Sequence, residues 1–573
     1  MSLSELPDIY CLGVKALGAC RYDLSNPALT FFSIGQLATV VTMTLALSQI
    51  AKPIVKFRLT TRFSPVWMPW VGIAFAVVCV FAAAALRALP VREVPILGYP
   101  IFWEFLGGVA LVASSAVMIV RVTFKTHLSK WNAKRYLKSS YSLIATGTAD
   151  DLKEYGDEIV RSVAIAVAEC KRHQTRPKII SSSAEEKETL TEFERACYTL
   201  LDLWSDEKLC HALITRCPRT AVALVSAVQK NRLYGAGPRA LVNELINQAF
   251  SQTDSILHRE GNYSGLGRYK SFMNATFGDI DFLRMLRPLQ AWQIHGKEQV
   301  SPAQVERYGD AISIALRASI REDRIRDLYE VLSCTLDIVN RIALQAAWAM
   351  TRIPEGELSS SEWPMVLREC GRIIEEAIKT VGELPAELQP HEDEIAIDSA
   401  TYNPLNDRTI FHALGEGAHE HLETIAQCIG HDISTRLDTI SIWDAIFPRE
   451  HNVSNANTAI RVRFIFALLA KINQNLDTEN WFYPIVARLL LSMWGLPNCV
   501  GEVPPLDASY TREESDLYVH VMTMYRQNFL SIRQKDAEFA NKLLPKQIVY
   551  LDNPPRLQQR WFRDKTTSLN LLP

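Results

Sequence analysis

Residues 63–86 read FSPVWMPWVGIAFAVVCVFAAAAL, a stretch without a single charged residue. Two further uncharged runs lie on either side of it, at 24–51 and 105–120. The hydrocarbon core of a bilayer is about 30 Å thick, and a helix needs roughly 20 apolar residues to cross it. The runs therefore predict three membrane-spanning helices, at about 29–51, 65–87 and 101–122.

The third span is interrupted near its start by a carboxylate. Glu104 divides the apolar stretch 94–120, and 16 uncharged residues follow it. A complete span begins near Tyr99 or Ile101, with Glu104 one turn inside the membrane interface. The alternative is a re-entrant segment, because the uncharged run alone is short for a full crossing.

The distribution of Lys and Arg predicts the orientation of these spans. The loop between spans one and two contains four basic residues and no acid, and six basic residues follow span three before the first acid, Asp150. The segment before span one is net negative. Because short loops rich in Lys and Arg stay in the cytoplasm, we expect the N-terminus outside and the large C-terminal region inside.

Beyond residue 140 the apolar residues recur mainly at helical spacing, whereas alternating strand patterns are scarce. The predicted fold class is all-α, with three transmembrane helices followed by a large cytoplasmic α-helical region. Residues 382–407 contain seven acids, three prolines and no Lys or Arg, which is typical of a linker or loop. The expected domains are a membrane domain (1–139), a helical domain (140–381), an acidic linker or loop (382–408) and a C-terminal helical domain (409–573).

Each predicted span carries a stripe of small or polar residues at helical spacing. Such stripes let helix backbones approach closely in lipid, so helix packing within one chain or between copies is the favoured interpretation. The alternative is a pore in a homo-oligomer, in which a ring of Glu104 carboxylates attracts cations. The membrane-face candidates are Gly35, Thr39, Thr42 and Gln49 in span one, Gly72, Ala76, Cys79 and Ala83 in span two, and Glu104, Gly107, Gly108 and Ser115 in span three.

A histidine-rich segment is the candidate metal site. On a helix, His412, Glu416, His419 and Glu423 share one face, and imidazole and carboxylate groups are suitable ligands for a divalent metal. His421 points about 200° away from His419 and cannot join that set. A solvated polar face is the favoured interpretation, so no cofactor is predicted.

A glycine-rich segment at 261–270 is the candidate anion site. Gly265 and Gly267 free backbone amides, and Arg268 and Lys270 supply positive charge. The segment lacks both the GxxxxGK[ST] order of a phosphate-binding loop and the preceding strand of a dinucleotide fingerprint. A plain loop between helices is therefore favoured over an anion-binding loop.

Charge and motif content narrow the function. Residues 1–140 carry a net charge of +9 and the remainder −11, so general nucleic-acid binding is not expected of the acidic part. The sequence contains no CxxC pair, no GxSxG motif and no kinase signature set. We predict a membrane-anchored cytoplasmic helical interaction protein: a scaffold, a sensor or the regulatory part of a membrane effector. Its expected partners are the lipid bilayer and a protein partner or further copies of itself.

Two alternatives to this function stay open. One is a homo-oligomeric ion-conducting pore gated by the cytoplasmic region. The weaker one is a membrane-bound metal-dependent enzyme that uses the histidine-rich segment.

Overall fold

The structure is a computed structural model of the chain. It describes residues 38, 39, 42, 52–62, 68–88, 97, 99–175, 190–262, 270–292, 300–353, 357, 360–395, 407–429, 439–446, 454–474, 529–530, 532–535, 537–542, 548–552, 555–559 and 568–570. The chain divides into two compact units, 1–241 and 242–573. The finer domain boundaries expected from the sequence stay predictions.

The first unit is helical wherever it has regular structure within the described residues. Proline occupies the first turn of several helices, where its missing N–H costs no hydrogen bond, and a capping box of Thr191 and Glu194 begins another. The helices are α1 (Pro53–Thr61), α2 (Met68–Ala88), α3 (Pro100–Thr123), α4 (Ala133–Thr146), α5 (Ala149–Thr175), α6 (Glu192–Trp204), α7 (Glu207–Arg216), α8 (Pro218–Asn231) and α9 (Ala236–Ser251), which continues past residue 241.

Two helices in the described part of the chain are long and apolar enough to cross a membrane, over Trp70–Ala88 in α2 and Pro100–Val120 in α3. The predicted first span lies outside the described residues except for helical positions at 38, 39 and 42, so the count of three spans is not confirmed. Helix α3 runs without a break for 24 residues, a length of about 36 Å at 1.5 Å per residue. That length favours a complete crossing over a re-entrant segment.

Helix α5 is the centre of the first unit's core. It packs against α6, α7 and α8 and buries a continuous apolar face that includes Ile159, Val163 and Val167. Trp204 is fully buried beside it and donates a hydrogen bond from Nε1 to the Tyr155 hydroxyl at 3.0 Å. Helix α1 and the chain that follows α3 contact this core.

The second unit is also mainly helical in its described residues. Its helices are α10 (Ile256–Asn262), α11 (Ser271–Phe277), α12 (Ile280–Leu286), α13 (Pro302–Arg321), α14 (Tyr329–Met350), α15 (Trp363–Gly382), α16 (Glu392–Ile395), α17 (Ile410–Ile429), α18 (Thr439–Ile446), α19 (Asn455–Gln474) and α20 (Ala537–Lys542), with 3-10 turns at Pro288–Gln290, Ile325–Leu328 and Ala386–Leu388.

A small sheet is the exception to the predicted all-α class. Strands β1 (Ile548–Asp552), β2 (Pro555–Gln559) and β3 (Ser568–Asn570) form an antiparallel sheet in that order, with Ile548 opposite Gln559 and Arg556 opposite Asn570. Strands of three to five residues are too short to show a clear alternating pattern in the sequence. The helical class is otherwise confirmed for the described chain.

Helix α17 lies between α14 and α19 and approaches both closely. A Cβ atom built on Gly415 would lie 2.8 Å from the Phe464 backbone nitrogen in α19, and one on Gly417 would lie 2.9 Å from Leu336 in α14. Glycine is therefore required at 415, where the contact is with backbone atoms, whereas a side chain at 417 would have to displace Leu336. The position of α17 between α14 and α19 determines the environment of the histidine-rich segment.

Candidate functional site

Helices α2 and α3 pack through their small residues. Ala76, Cys79 and Ala83 of the predicted stripe in α2 are buried, and a Cβ atom built on Gly107 would lie 3.1 Å from Cys79 Cβ. The Ser114 hydroxyl occupies the space beside Gly72 and donates to Ala110 O at 2.6 Å. We name this contact between α2 and α3 the seam. Its helix backbones approach each other closely, as small residues permit in lipid.

The stripe proposed for α3 turns only partly toward this seam. Glu104 and Gly107 are buried in it, whereas Gly108 has open space around it and Ser115 is exposed. The seam continues through Leu111 and Ser114. Residues on one face of an α-helix recur at intervals of three or four, because one turn takes 3.6 residues.

In span one, Thr39 and Thr42 are helical and exposed, and the Thr42 hydroxyl donates to Ala38 O at 2.7 Å. Gly35 and Gln49 lie outside the described residues.

Large apolar side chains cover the outer surface of the α2–α3 pair. Phe81 is 64% exposed and Val112 is 72% exposed, and the remaining members of this surface include Val71, Phe75, Val78, Phe105, Val109 and Ile119. Small residues inside and large apolar residues outside are the arrangement expected when lipid is the solvent. The pattern therefore agrees with a membrane-embedded hairpin.

Glu104 forms an ion pair within the chain. Its carboxylate lies 2.5 Å from the Arg87 guanidinium, and the residue is only 1% exposed. Arg87 is in the last turn of α2 and Glu104 in the second turn of α3, so the pair joins neighbouring ends of the hairpin. The contact turns the carboxylate toward α2, which favours helix packing over pore lining for this residue.

The segment after the first predicted span is docked onto the helical body. Helix α1 buries Ile54, Phe57 and Thr61, and the Phe57 ring makes edge-to-face contacts with Tyr136 at 5.1 Å and Tyr155 at 5.2 Å between centroids. These tyrosines belong to α4 and α5, and burial raises the pKa of both hydroxyls. The basic loop is thus a fixed part of the first unit's core.

Glu158 of α5 connects three segments at this junction. Its buried carboxylate accepts hydrogen bonds from Arg58 Nη2 at 2.9 Å and Nε at 3.2 Å, and from the backbone N–H of Thr126. Arg58 also donates to Val122 O at 2.8 Å, close to the end of α3. One carboxylate therefore joins α1, the end of α3 and the body helix α5.

Further hydrogen bonds reinforce the same junction. Ser162, one turn after Glu158, accepts from the Leu128 N–H and the Tyr136 hydroxyl, both at 3.0 Å. Arg62, at the end of the basic loop, donates to Phe124 O at 2.9 Å. We name the set Arg58, Thr126, Tyr136, Glu158 and Ser162 the membrane junction.

Sequence reasoning did not single out the membrane junction. The sequence signal that could have indicated it is a pair of polar residues beside the apolar face of an amphipathic helix. Glu158 and Ser162 lie one turn apart next to Ile159 and Val163. A carboxylate on such a face indicates a buried partner, because an unpaired buried charge is very costly. The partner itself, 100 residues earlier in the chain, could not be read from local spacing.

The histidine-rich face of α17 forms separate pairs. His412 Nε2 lies 3.0 Å from the Glu416 carboxylate, and this hydrogen bond lowers the pKa of Glu416. Glu423 lies 3.3 Å from Lys471, and the His419 ring contacts Phe464 of α19. In the described part of the chain, no three His, Cys, Asp or Glu side chains are arranged to hold a metal ion.

The expectation that this polar face is solvated is wrong for most of it. His412, His419 and Glu423 are buried, whereas Glu416 is about half exposed. The cause is the position of α17 between α14 and α19. Burial lowers the pKa of His419 to about 4, so its imidazole is neutral at pH 7.

His421, on another face of α17, borders a pocket of about 200 Å³. The residue is fully buried, and neither ring nitrogen has a hydrogen-bond partner among the described residues. Burial lowers its pKa to about 4, so it presents a neutral imidazole with one donor and one acceptor. Arg368, Arg372 and Ser441 also line the pocket, together with apolar side chains such as Ile425 and Ile442.

No family model, curated protein or solved structure matches this chain.

The glycine-rich segment is only partly described. Gly265, Gly267 and Arg268 lie outside the described residues, and Lys270 forms an ion pair with Asp310 at 3.4 Å. The Glu260 carboxylate accepts from the backbone N–H groups of Phe272 at 2.9 Å and Met273 at 3.1 Å, at the start of α11. A protein carboxylate thus already occupies the described amides next to the loop, which favours the loop interpretation over anion binding.

Proposed function

We propose that this chain is a membrane-anchored helical interaction protein in which the body helices of the first unit are hydrogen-bonded to the segments at the ends of the membrane helices. The membrane junction carries the proposal. Because Glu158 binds both Arg58 of α1 and Thr126 after α3, the segments at the two ends of the α2–α3 hairpin lie together against the body. A hairpin that crosses the bilayer and returns has this geometry.

Charge supports the cytoplasmic side for the body. The loop at 52–62 and the segment at 121–138 are the Lys- and Arg-rich segments of the membrane region, and both belong to the side that stays in the cytoplasm. Their direct contact in the junction agrees with this common location. With a first span at 29–51, the N-terminus is outside.

Exposed apolar side chains support a binding role for the body. Leu344 and Trp348, four residues apart on α14, are both exposed, and the Arg352 guanidinium lies 5.9 Å from the Trp348 ring centroid. An exposed tryptophan beside an arginine is a combination enriched at the energetic centres of protein interfaces. We assign this surface to a protein partner or a second copy of the chain.

A photo-crosslinking experiment tests the binding role. Benzoylphenylalanine in place of Trp348, in the full-length protein in native membranes, is expected to give a discrete crosslinked adduct after irradiation. The same amino acid in place of exposed Arg317 on α13 is the matched control and is expected to give none. Equal adducts at both positions, or none at either, would refute the proposed partner surface.

The described residues support the two alternative functions, the pore and the metal-dependent enzyme, less well than they support the interaction protein. Glu104 is paired with Arg87 within one chain, and the histidine-rich face does not converge on a metal position. For the pore, the test is conductance of the purified protein in bilayers. We expect no ion current from the wild-type protein. A current that changes in Glu104→Gln would overturn this proposal in favour of the pore.

A further inference from the structure

The chain immediately after α3 presents basic and aromatic side chains to solvent. Trp131 is 80% exposed and Tyr141 is 65% exposed. We name the set Phe124, Lys130, Trp131, Lys134, Lys138 and Tyr141, all exposed, the basic–aromatic surface.

The fold fixes the direction in which this surface points. Helix α4 buries Ala133, Tyr136, Ser140, Leu143 and Ile144, and it packs against α1 and α6. Lys134, Lys138 and Tyr141 follow at helical spacing on the opposite side. Since the buried face is anchored by the membrane junction, the basic–aromatic surface is held in place as well.

The surface carries uncompensated positive charge. No acidic residue occurs between Glu104 and Asp150, and Lys130, Lys134 and Lys138 form no ion pair with any described residue. Positive charge of this kind is typical of segments that meet the anionic lipids of a cytoplasmic leaflet. Exposed tryptophan and tyrosine are the residues enriched at the membrane–water interface.

The surface also begins where the membrane helices end. Phe124 directly follows the last residue of α3, and its carbonyl accepts a hydrogen bond from Arg62, which precedes α2. Both ends of the hairpin are thus tied together at Phe124. Trp131 and Lys134 follow within ten residues along the chain, in a part of the molecule fixed to the ends of the spans.

We propose that the basic–aromatic surface binds the anionic lipid headgroups of the leaflet next to the body. The inference rests on the proposed function, because it requires α2 and α3 to cross the membrane. The lysines meet lipid phosphates, and the aromatic rings lie among the headgroups. Lipid binding here orients the first unit of the body on the membrane surface.

Lysine acetylation measured by mass spectrometry tests the proposal. The full-length protein is placed in nanodiscs of phosphatidylcholine alone or of phosphatidylcholine mixed with phosphatidylglycerol. We expect Lys130, Lys134 and Lys138 to react on the order of fivefold more slowly in the anionic discs, the factor that corresponds to about 1 kcal/mol per basic residue at such a surface. Exposed Lys208 and Lys230 of the same unit are internal controls and should react equally in both.

A matched pair of variants provides the second readout. Lys134→Gln/Lys138→Gln is expected to retain fewer phosphatidylglycerol molecules on purification than wild type, whereas Lys208→Gln/Lys230→Gln should retain the wild-type number. Both pairs replace exposed helical lysines, so general effects of lost charge are the same.

The outcomes separate this inference from the proposed function. Equal acetylation rates in the two lipids, or equal slowing at Lys208 and Lys230, would overturn lipid recognition. Slowing that is the same in both lipids but absent in detergent would indicate steric covering and would also overturn it. If the protein is extracted from membranes by alkaline carbonate, the proposed membrane anchoring itself fails.

Discussion

A single buried carboxylate, Glu158, holds the basic loop, the end of α3 and the body helix α5 together. Breaking a buried ion pair by removing one partner costs more than the pair's net contribution, because the other charge stays behind unpaired. Arg58 is partly buried in the same place and would be left facing an amide. The junction therefore depends on this residue more than on any exposed pair nearby.

Glu158→Gln should destabilise the protein measurably. We expect a loss of about 2 kcal/mol in the free energy of unfolding, in the range for hydrogen bonds to charged groups, read as a lower melting temperature in detergent. Glu154→Gln removes the exposed pair with Lys52 and is the control, which should melt near wild type because exposed ion pairs contribute little to stability. Equal losses in the two variants would show that the junction is not held by Glu158.

The buried histidines of α17 predict a dependence of stability on pH. The folded-state pKa of His421 is about 4, below the value of about 6.5 in an unfolded chain. The unfolded state therefore binds the proton first, and stability is complete above about pH 6.5 and falls as the pH drops toward 4. The contribution of each such histidine is on the order of 3 kcal/mol.

Chemical unfolding at several pH values measures this effect. His421→Phe removes the titrating group while keeping an aromatic ring, so it should weaken the loss of stability between pH 6.5 and 4. His391→Phe, at an exposed position, should leave the loss as in wild type. A pH dependence that is unchanged in His421→Phe would contradict a buried neutral imidazole.

Helix α3 of the α2–α3 hairpin has one side in contact with α2 and another side exposed. Gly107 lies against Cys79 and Ala76, while Gly108, the next residue, has nothing within 4 Å of the position of a Cβ atom. Two adjacent glycines with opposite environments offer a matched test of the seam. The two residues are chemically identical, so the difference between their environments depends only on which side of α3 each one lies.

Gly107→Ile should push the two helices apart and destabilise the hairpin. Overpacking a tight contact costs about 1–3 kcal/mol, so we expect a clear fall in the melting temperature of the detergent-solubilised protein. Gly108→Ile carries the same change in helix propensity and should melt near wild type. If Gly108→Ile is the more damaging substitution, α3 packs through its other face, as it would against another copy of the chain.

Across the whole chain, charge separates the membrane region from the acidic remainder. The net charge is +9 over residues 1–140 and −11 over the rest. The proposed orientation rests on this separation, because short segments rich in Lys and Arg stay in the cytoplasm as a general rule. Orientation is therefore a property of the complete molecule, and an odd number of spans is needed to put the two termini on opposite sides.

Epitope tags test that orientation. A tag before Met1 should bind antibody on intact cells, whereas a tag after Pro573 should bind only after permeabilisation. Access to both tags on intact cells would place the body outside, and access to neither would mean an even number of crossings. Alkaline extraction of the same cells checks that the protein is integral to the membrane.

Local composition and periodicity were sufficient to predict the helical class and the positions of α2 and α3. Hydrophobicity and a 3.6-residue period are properties of neighbouring residues, so they can be read directly along the chain. The small sheet at 548–570 was missed because strands of three to five residues carry too little pattern.

Tertiary structure alone decided which groups meet. It paired Arg58 with Glu158 across 100 residues, turned Ser114 instead of Ser115 into the α2–α3 seam, and buried the histidine-rich face between α14 and α19. The physical reason is that a side chain's partner and its access to water depend on the packing of distant elements. Hydrophobic patterning predicts that a helix is buried on one face, and only packing determines what it is buried against.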